Sequence, residues 1–174
     1  GGFLKDEHGR EQRGARRGAL TPLSAITSFT PLHRLPGLKT IHQERYPLPS
    51  EAAPIQTTSG AAMMTDRESF ELLGGFDEEY FLHVEDIDIC RRTWEQGGSV
   101  YIVPDAHVMH YGSTSNVPRV RTEWEKYKGF VHYFWNYKPG VMSKILTFLA
   151  APFMGVAIMG RAYYLTFRAA LLGR

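Results

Sequence analysis

The chain has 174 residues, 43% of them hydrophobic, and a formal net charge of +2 at neutral pH. This length suits one domain with a real core, and this composition excludes a disordered chain. The single cysteine, Cys90, excludes an internal disulfide and a cysteine-based zinc site, and it is typical of a reducing compartment. Residues 51–100 hold eleven acids against three bases, whereas residues 101–174 hold three acids against nine bases. This asymmetry predicts an acidic site followed by a basic tail that suits an anionic membrane surface.

The first third of the chain carries few signals of regular structure. Residues 1–18 are basic and polar, and the run from Lys5 to Gly9 is typical of a turn. Residues 19–54 hold six of the ten prolines, which indicates a long irregular loop with one short helix near Leu20–Phe29. Such loops are often lids or binding segments, and a surface linker is the alternative.

A strand and a tight turn are predicted next. Residues 54–58 are expected to form the strand, which enters a turn at Ser59-Gly60, and residues 61–64 continue as a buried apolar run. The segment from Ser59 to Ala61 lacks side-chain bulk, so a ligand can approach its backbone closely. Tight packing against a strand is the alternative explanation.

A short helix follows the turn. Thr65 and Glu68 match a capping box, in which the Thr65 hydroxyl bonds to the N–H of Glu68 and the Glu68 carboxylate reaches back. The helix is expected to end at Gly74-Gly75. Phe76 is then expected to return to the core.

A second helix and a β region are predicted after an apolar loop. The helix is expected to begin near Asp86 and to end at Gly97-Gly98. Its buried face is expected to carry Ile87, Cys90 and Trp94. Residues 99–103 and 106–111 are predicted as two strands separated by a turn at Pro104-Asp105.

A third helix is predicted over residues 120–138, where Pro139-Gly140 ends it. Its apolar stripe is expected to consist of Val120, Trp124, Tyr127, Val131 and Phe134.

Residues 141–174 form a strongly apolar tail. Residues 145–160 carry no charge, which is short of the roughly 20 residues that span a bilayer, and Pro152 interrupts them. The residues that follow are typical of membrane-interface anchors: Arg161, Tyr163, Tyr164 and Arg168. Three arrangements stay open, namely helices in the membrane surface, a true span, and an interface with another subunit.

The adjacent carboxylates Glu85 and Asp86 are the first candidates for chemistry. They lie at the expected start of a helix, where the helix dipole and free N–H groups keep a carboxylate ionised. An ionised carboxylate beside a pocket can accept the proton of an attacking sugar hydroxyl. Capping of the helix is the alternative. Asp88 points to a different side of the helix and is expected to be solvated or paired with Arg92, one turn later.

Two histidines fall in the last predicted strand. His107 and His110 are three residues apart, so on a strand they lie on opposite faces and do not chelate one ion together. His110, at the strand end beside Tyr111-Gly112, is the better candidate for a ligand, and a structural histidine is the alternative. The sequence contains no GxGxxG, no GxxxxGK[ST] and no GxSxG motif.

Taken together, these motifs resemble the family 2 glycosyltransferases, especially the bacterial rhamnosyltransferase-like members that build polysaccharides and cell-wall glycans. The resemblance covers about residues 1–140 and rests on SGAAMM, ELLGGFDEEYFLHVEDIDICRR and GGSVYIVPDAHVMHYGSTS. In order, these segments match the family's small-residue turn, GGFDE, an aromatic loop, ED-x-D with an arginine at Arg92, and a V-x-H-x-G strand end.

The resemblance implies an α/β fold, the GT-A fold, and inverting transfer of a sugar from a dTDP- or UDP-sugar. It implies that Asp86 is the general base on the acceptor hydroxyl and that Glu85 orients or binds the acceptor. It implies that His110 completes a magnesium or manganese site whose main ligands belong to an Asp-x-Asp motif. The further substrate-binding residues that it implies are Ser59, Gly60, Ala61 and Arg92.

In that family the first βαβ half and the Asp-x-Asp motif precede the region seen here, and residues 1–58 show neither. We therefore expect a partial GT-A fold: residues 1–140 are the acceptor-side half and residues 141–174 a membrane-associating helical tail. This chain alone is expected to be inactive. The full-length enzyme is expected to act on a glycan or lipid-linked acceptor at the cytoplasmic face of the cell membrane, either peripheral to it or anchored by the tail.

Two other functions were weighed. One is a non-catalytic, membrane-associated binding module that keeps the acceptor half of the fold, and an upstream Asp-x-Asp would argue against it. The other is a nucleic-acid binder built on the basic and aromatic residues 119–138. No recognised nucleic-acid motif is present, so no nucleic-acid partner is expected.

Overall fold

The computed structural model describes residues 1–111, 117–137 and 140–172, which form a mixed α/β structure. The described residues fall into two compact units. The first comprises residues 1–20, 41–78 and 85–111, and the second comprises residues 21–40, 79–84, 117–137 and 140–172. The units do not divide at residue 140, and a functional boundary there stays a prediction.

The first unit holds two small sheets. In the larger sheet, β5 (Tyr101–Met109) lies between β1 (Gly2–Lys5), which runs parallel to it, and β3 (Ala53–Pro54), which runs antiparallel. The smaller sheet pairs β2 (Arg16–Arg17) with β4 (Thr57–Thr58), antiparallel. The short sheet strand at the chain's start was not predicted, because residues 1–18 read as polar and irregular.

The predicted turn at Pro104-Asp105 is wrong, because both residues lie inside the continuous strand β5. The pairing with β1 passes from Gly2 opposite Val103 directly to Phe3 opposite His107. Residues 104–106 therefore bulge out of this ladder. A proline, which has no N–H to donate, is tolerated at such a bulge.

Helix α2 (Arg67–Leu72) begins one residue later than the predicted capping box implies. Its N-cap is Asp66, whose carboxylate accepts the Ser69 N–H at 2.7 Å and the Ser69 hydroxyl at 2.7 Å. A carboxylate that receives two donors displaces the Thr65 hydroxyl as the cap. The predicted end is confirmed, since Gly74 and Gly75 follow with φ of 79° and 71°.

Two expectations of burial around α2 are wrong. Phe76 is 44% exposed and meets only the edge of Phe70, with ring centroids 5.5 Å apart. The apolar run at residues 61–64 is not buried as a whole, since Met64 is 93% exposed, although Met63 packs against a core cluster. The run begins in a short 3₁₀ turn, Gly60–Ala62.

Helix α3 (Glu85–Glu95) is confirmed, and Gly97 follows it with a φ of 80°. One face of the helix enters a core cluster, whose buried members are Ile55, Cys90, Val100 and Ile102. Trp94 packs against this cluster, as predicted from its spacing. Burial raises the pKa of the Cys90 thiol to about 11, so this sulfur is a core atom and remains protonated.

The second unit is helical. It contains α1 (Pro22–Phe29), α4 (Arg119–Tyr137) and α5 (Val141–Leu171). The short helix predicted near residues 20–29 is confirmed, and the Thr21 hydroxyl caps it by accepting the Ser24 N–H at 3.1 Å. The predicted third helix is confirmed as α4, although its predicted end at Lys138-Pro139 lies outside the described residues.

The buried face of α4 differs from the predicted stripe. Phe130, Tyr133 and Phe134 are buried, whereas Trp124, placed on the stripe, is 46% exposed. The small residue Gly129 supplies the close approach on this face: a Cβ there would lie 3.1 Å from the Val84 side chain. The buried face of α4 therefore lies closer to Gly129 than the predicted stripe does. A prediction that considers only large apolar residues overlooks this glycine.

Helix α5 is one continuous helix of 31 residues, so the predicted interruption at Pro152 is wrong. A proline removes one backbone hydrogen bond, and the helix continues on both sides of it. The residues that pack inside the unit form one stripe: Thr147, Met154, Ile158 and Ala162. By length and composition this helix is able to cross a membrane. At about 1.5 Å per residue it exceeds a hydrocarbon core of about 30 Å.

Candidate active site

The candidate site is assembled in the first unit from three separated segments. Strand β2 pairs with β4, which places Arg17 opposite Thr57. Strand β4 leads directly into Ser59, whose hydroxyl accepts the Ala61 N–H at 3.4 Å and so starts the 3₁₀ turn. The first residues of α3 lie against this turn. The local fold thus brings a small-residue turn and a pair of carboxylates together.

Asp86 is the centre of this arrangement and is only 7% exposed. Its Oδ2 accepts the Gly60 N–H at 3.0 Å and also a bond from Arg17 Nη2, and its Oδ1 accepts the Ile87 N–H at 2.8 Å. A guanidinium and two backbone donors thus hold the carboxylate in one position. The fold places Gly60 and Asp86, two of the predicted site residues, in direct contact.

Gly60 lies directly against Asp86. A Cβ at Gly60 would lie 3.4 Å from the Cβ of Asp86, which is an ordinary van der Waals contact. Tight packing, the alternative considered from the sequence, therefore does not by itself require a glycine here. Pocket lining by Ser59 and Ala61 stays a prediction.

Glu85 differs from its neighbour in its environment. Its Oε2 is buried and makes no hydrogen bond within the described residues. Burial, and then the adjacent Asp86 charge, raise the pKa of this carboxyl group. The Glu85 carboxyl group therefore holds a proton more readily than an ordinary glutamic acid does.

The backbone is strained immediately before the two carboxylates. His83 and Val84 have φ of 66° and 76°, in the left-handed region that disfavours a β-branched residue. Such strain clusters at functional sites, because a rigid surrounding must hold it in place. Val84 is 1% exposed, which indicates that packing supplies that constraint.

Arg92 lies on α3, and its side chain reaches the loop that follows α2. Its Nε donates to Asp88 at 2.7 Å, its Nη2 to the Gly75 carbonyl at 2.9 Å, and its Nη1 to the Leu73 carbonyl. Asp88 is 3% exposed and also pairs with Arg91 at 2.7 Å, so its predicted pairing with Arg92 is confirmed and its solvation is wrong. Arg92 thus holds the glycine turn in place, and substrate binding by it stays a prediction.

His110 follows the end of β5. Its backbone N–H donates to the Lys5 carbonyl at 3.1 Å, and its Nδ1 lies 2.7 Å from Gln12 Oε1. His107 has a separate partner, with its Nδ1 3.2 Å from Lys5 Nζ. An amide oxygen that fixes Nδ1–H leaves Nε2 as the metal-binding nitrogen, a common arrangement around a metal.

The fit of a metal is therefore partial. In the described ranges, no group of three or more His, Cys, Asp or Glu side chains is placed to hold an ion. Metal binding by His110 stays a prediction, and Gly112 of the V-x-H-x-G motif lies outside the described residues.

Comparison with known proteins decides the family. A family model described as the N-terminal domain of galactosyltransferase matches residues 45–132, which include the turn, the carboxylates and both histidines. The chain belongs to this glycosyltransferase family. The resemblance to sugar transferases is thereby confirmed.

Named relatives of this glycosyltransferase domain agree with the rhamnosyltransferase-like character. The N-acetylglucosaminyl-diphospho-decaprenol L-rhamnosyltransferase of Mycobacterium tuberculosis (strain H37Rv) is 38% identical over 103 residues, 59% of this chain and 30% of the relative. The rhamnosyltransferase WbbL of Escherichia coli K12 is 36% identical over 58 residues, 33% of this chain and 22% of the relative. A probable N-acetylgalactosaminyltransferase 9 of Caenorhabditis elegans is 35% identical over 75 residues, 42% of this chain and 13% of the relative.

These matches span less than a third of each relative's length. No solved structure matches the chain significantly.

One residue of the candidate site, Arg17, was not predicted from the sequence. Arg17 lies in a polar stretch that carries no motif, 69 residues before Asp86. Its Nη2 donates to both Asp86 and the Thr58 carbonyl, the latter at 3.2 Å. Only strand pairing between β2 and β4 places it there, so no local signal predicts it.

Proposed function

We propose that this chain supplies the acceptor side of an enzyme that transfers a sugar, with inversion, from a dTDP- or UDP-sugar to a glycan or lipid-linked acceptor. The observation that carries the proposal is the Asp86 carboxylate, which lies in the family-matched region and accepts hydrogen bonds from Gly60 and Arg17. The named rhamnosyltransferases support the reaction class and favour polysaccharide or cell-wall synthesis as its setting.

In the proposed reaction Asp86 is the general base. Within the described residues its Oδ1 accepts a hydrogen bond from the Ile87 N–H, and a carboxylate oxygen has a second lone pair for a proton. The acceptor hydroxyl gives its proton to this oxygen while its own oxygen attacks the anomeric carbon. The bond from that carbon to the diphosphate breaks, the diphosphate leaves with the electron pair, and the configuration inverts.

The two residues beside Asp86 complete the proposed acceptor site. Glu85 binds the acceptor through a carboxyl group that is partly buried and easily protonated, so it can donate to or accept from a hydroxyl. Arg17 keeps Asp86 charged and fixed, so that the proton goes to a preorganised group.

A divalent cation, magnesium or manganese, would neutralise charge on the departing diphosphate as a Lewis acid. His110 would be this chain's ligand, with Gln12 orienting the ring. The remaining ligands are proposed to come from an Asp-x-Asp motif in a donor half of the GT-A fold. On this proposal the 174-residue chain does not turn over nucleotide-sugar by itself.

We further propose that the enzyme works at the cytoplasmic face of the membrane. Helix α5 is long and apolar enough to anchor it, and much of its apolar surface is exposed. The basic residues of the second half suit an anionic membrane surface.

One observation favours a second candidate, a non-catalytic binding module. The Arg17–Asp86 pair is buried, and such pairs also occur as purely structural links. In that case the turn and carboxylates would bind a glycan without transferring a sugar to it.

The test uses nucleotide-sugars and a short glycolipid acceptor, with the anomeric configuration of the product read by NMR. The 174-residue chain is compared with a longer protein that joins it to a donor half carrying Asp-x-Asp. Inverted product from the longer protein alone supports the proposal. Retained configuration, or full-rate transfer by the short chain, contradicts it, and acceptor binding without any product supports the binding module.

A further inference from the structure

One short polar segment of the first unit, residues 11–17, contacts the candidate site at several separate points. Near the start of the segment, Gln12 Oε1 lies 2.7 Å from Nδ1 of His110. At its end, Arg17 Nη2 donates to the Asp86 carboxylate. The predicted metal ligand and the proposed base are therefore both held by side chains of this segment.

The same segment also supports the small-residue turn. The Ala15 carbonyl accepts the Ser59 N–H at 3.1 Å, and Ala15 is only 1% exposed. The next residue, Arg16, lies opposite Thr58 in the pair of β2 and β4. Strand pairing therefore continues directly into the bond that holds the first residue of the turn.

A buried ion pair joins the two ends of this segment. Arg16 Nε and Nη2 donate to the two carboxylate oxygens of Glu11 at 2.7 and 2.8 Å. The two side chains are 4% and 10% exposed. Two parallel bonds of this kind fix the orientation of both groups as well as their distance. Because Glu11 precedes Gln12 and Arg16 precedes Arg17, the pair, termed the loop clasp, ties the positions of these two neighbours together.

The guanidinium of the loop clasp is also anchored to a second loop. Arg16 donates to three backbone carbonyls there, those of Gln43, Tyr46 and Pro47, at 3.3, 2.9 and 3.3 Å. A planar guanidinium with several donors suits such a fixed set of partners, and an ammonium group does not. The loop clasp is thus held from two sides.

The loop clasp lies outside the residues to which a role has been given. The region that matches the family model, residues 45–132, begins after the segment. One explanation is that the pair only stabilises the fold, as buried ion pairs can. The bonds from the segment to His110, Ser59 and Asp86 favour another, because they connect the pair to the site itself.

We propose that the loop clasp is a positioning element that holds Gln12 against His110 and Arg17 against Asp86 at the same time. The proposal rests on the proposed function insofar as these two sites serve one reaction. The members of the clasp act through the residues that follow them and not on the substrate. Breaking the clasp therefore loosens both sites together.

The test is NMR of the full 174-residue chain in detergent at about pH 8.5, where histidine is neutral. In the wild type, the ring nitrogens of His110 should report the Nδ1–H tautomer. The Gly60 amide, which donates to Asp86, should exchange slowly with solvent. Glu11→Gln keeps the shape of the side chain and removes one of the two parallel bonds. It should at least double the Nε2–H tautomer and accelerate the exchange of the Gly60 amide at least ten-fold.

Two further variants separate positioning from simple stability. Gln12→Leu cuts only one of the two connections, so it should change the His110 tautomer and leave the Gly60 amide unchanged. Arg10→Gln breaks the exposed Asp6–Arg10 pair of the preceding turn, with Arg10 74% exposed, and should change neither signal. Thermal melts of every variant show how much stability each substitution costs.

The proposal is overturned if Glu11→Gln lowers the melting temperature and leaves both signals at their wild-type values below the transition. It is also overturned if only one of the two signals changes, because both ends of the segment must move together. Arg16→Lys is a second clasp variant that keeps the charge and loses the two parallel bonds. It should change both signals in the same direction as Glu11→Gln.

Transfer by the longer enzyme separates this proposal from the proposed function. There Glu11→Gln should lower kcat at least ten-fold, whereas Arg10→Gln should transfer sugar at the wild-type rate. Coupled NMR changes without any sugar transfer by the wild type would leave the loop clasp assigned and refute the proposed function. Transfer at an unchanged rate by Glu11→Gln would refute the positioning role and leave the proposed function intact.

Discussion

Arg17 and Asp86 form a buried ion pair between strand β2 and helix α3, with side chains 13% and 10% exposed. The pair joins residues that lie 69 positions apart. It therefore both closes the local fold and fixes the position of the proposed base. The contribution of the pair to stability can be separated from its proposed role in catalysis, because only catalysis requires a carboxylate at position 86.

The first prediction concerns the stability of this pair. Arg17→Met should lower the free energy of unfolding by about 3–5 kcal/mol, because Asp86 would be left as an uncompensated buried charge. The double variant Arg17→Met/Asp86→Asn should recover part of that loss, since neither charge remains. Urea denaturation of the two single variants and the double variant measures this coupling.

The exposed pair Arg67–Glu71, with side chains 89% and 62% exposed, is the matched control. Arg67→Met should change the free energy of unfolding by less than about 1 kcal/mol. Strictly additive effects of the Arg17 and Asp86 substitutions would show that the two residues do not stabilise each other.

The second prediction is a pH dependence from Glu85. Its pKa is raised above the ordinary value of 4.5, so the folded state binds this proton more tightly than the unfolded chain does. The resulting stability is fully present below pH 4.5 and is lost as the pH rises through the raised pKa. Glu85→Gln should therefore be more stable than the wild type at neutral pH, and the difference should vanish near pH 4.

The measurement is the difference in unfolding free energy between the wild type and Glu85→Gln from pH 4 to 8. The pKa of Asp66 is lowered by the Ser69 N–H and acts in the opposite direction, but it is common to both proteins and cancels. Glu78→Gln, at an exposed position, is the control for losing a carboxylate. A difference that stays constant with pH would rule out the raised pKa.

The sequence predicted the helices better than the site. Local sequence signals predict helix α3 and its end at Gly97, and they also predict the short helix α1. The role of Arg17 could not be predicted, because it depends on pairing between two strands of two residues each. Pro104 also misled the prediction, since a bulge in β5 accommodates it and no local pattern distinguishes a bulge from a turn.

Helix α5 also shows that tertiary packing is not predicted by local sequence signals. Composition identified an apolar segment, and the interruption at Pro152 was inferred from propensity alone. The continuous helix packs through Met154 and Ile158 against neighbouring helices of its unit, and this packing overrides the proline.

The third prediction concerns Arg92. Arg92→Lys should lower the free energy of unfolding by about 1–3 kcal/mol, because an ammonium group cannot meet the Leu73 and Gly75 carbonyls and Asp88 together. Amide exchange at Gly74 and Gly75 should accelerate, since their turn loses its support. Arg67→Lys on exposed α2 is the control, expected within about 0.5 kcal/mol of the wild type. Unchanged exchange at both glycines would contradict the positioning role.

The fourth prediction separates the two faces of α5 at adjacent residues. Phe153 is 69% exposed, whereas Met154 is fully buried. Phe153→Ala should weaken binding to anionic vesicles about ten- to hundred-fold, from about 1.5–3 kcal/mol of lost burial, and leave the unfolding free energy nearly unchanged. Met154→Ala should instead cost about 2–5 kcal/mol of stability and leave vesicle binding unchanged.

Vesicle flotation and urea denaturation on the same preparations measure both effects. If Phe153→Ala destabilises the protein and binds vesicles like the wild type, the exposed face of α5 is covered by protein rather than by lipid.

The measurement that tests the central claim most directly is sugar transfer by Asp86→Asn in the longer enzyme, with nucleotide-sugar binding followed in parallel. The double variant Arg17→Met/Asp86→Asn serves as the stability-matched control. The account predicts that both variants bind the donor and that transfer falls at least a hundred-fold in both, as expected for loss of a general base. Near-normal transfer by the stable double variant would contradict it and reduce Asp86 to a structural partner of Arg17.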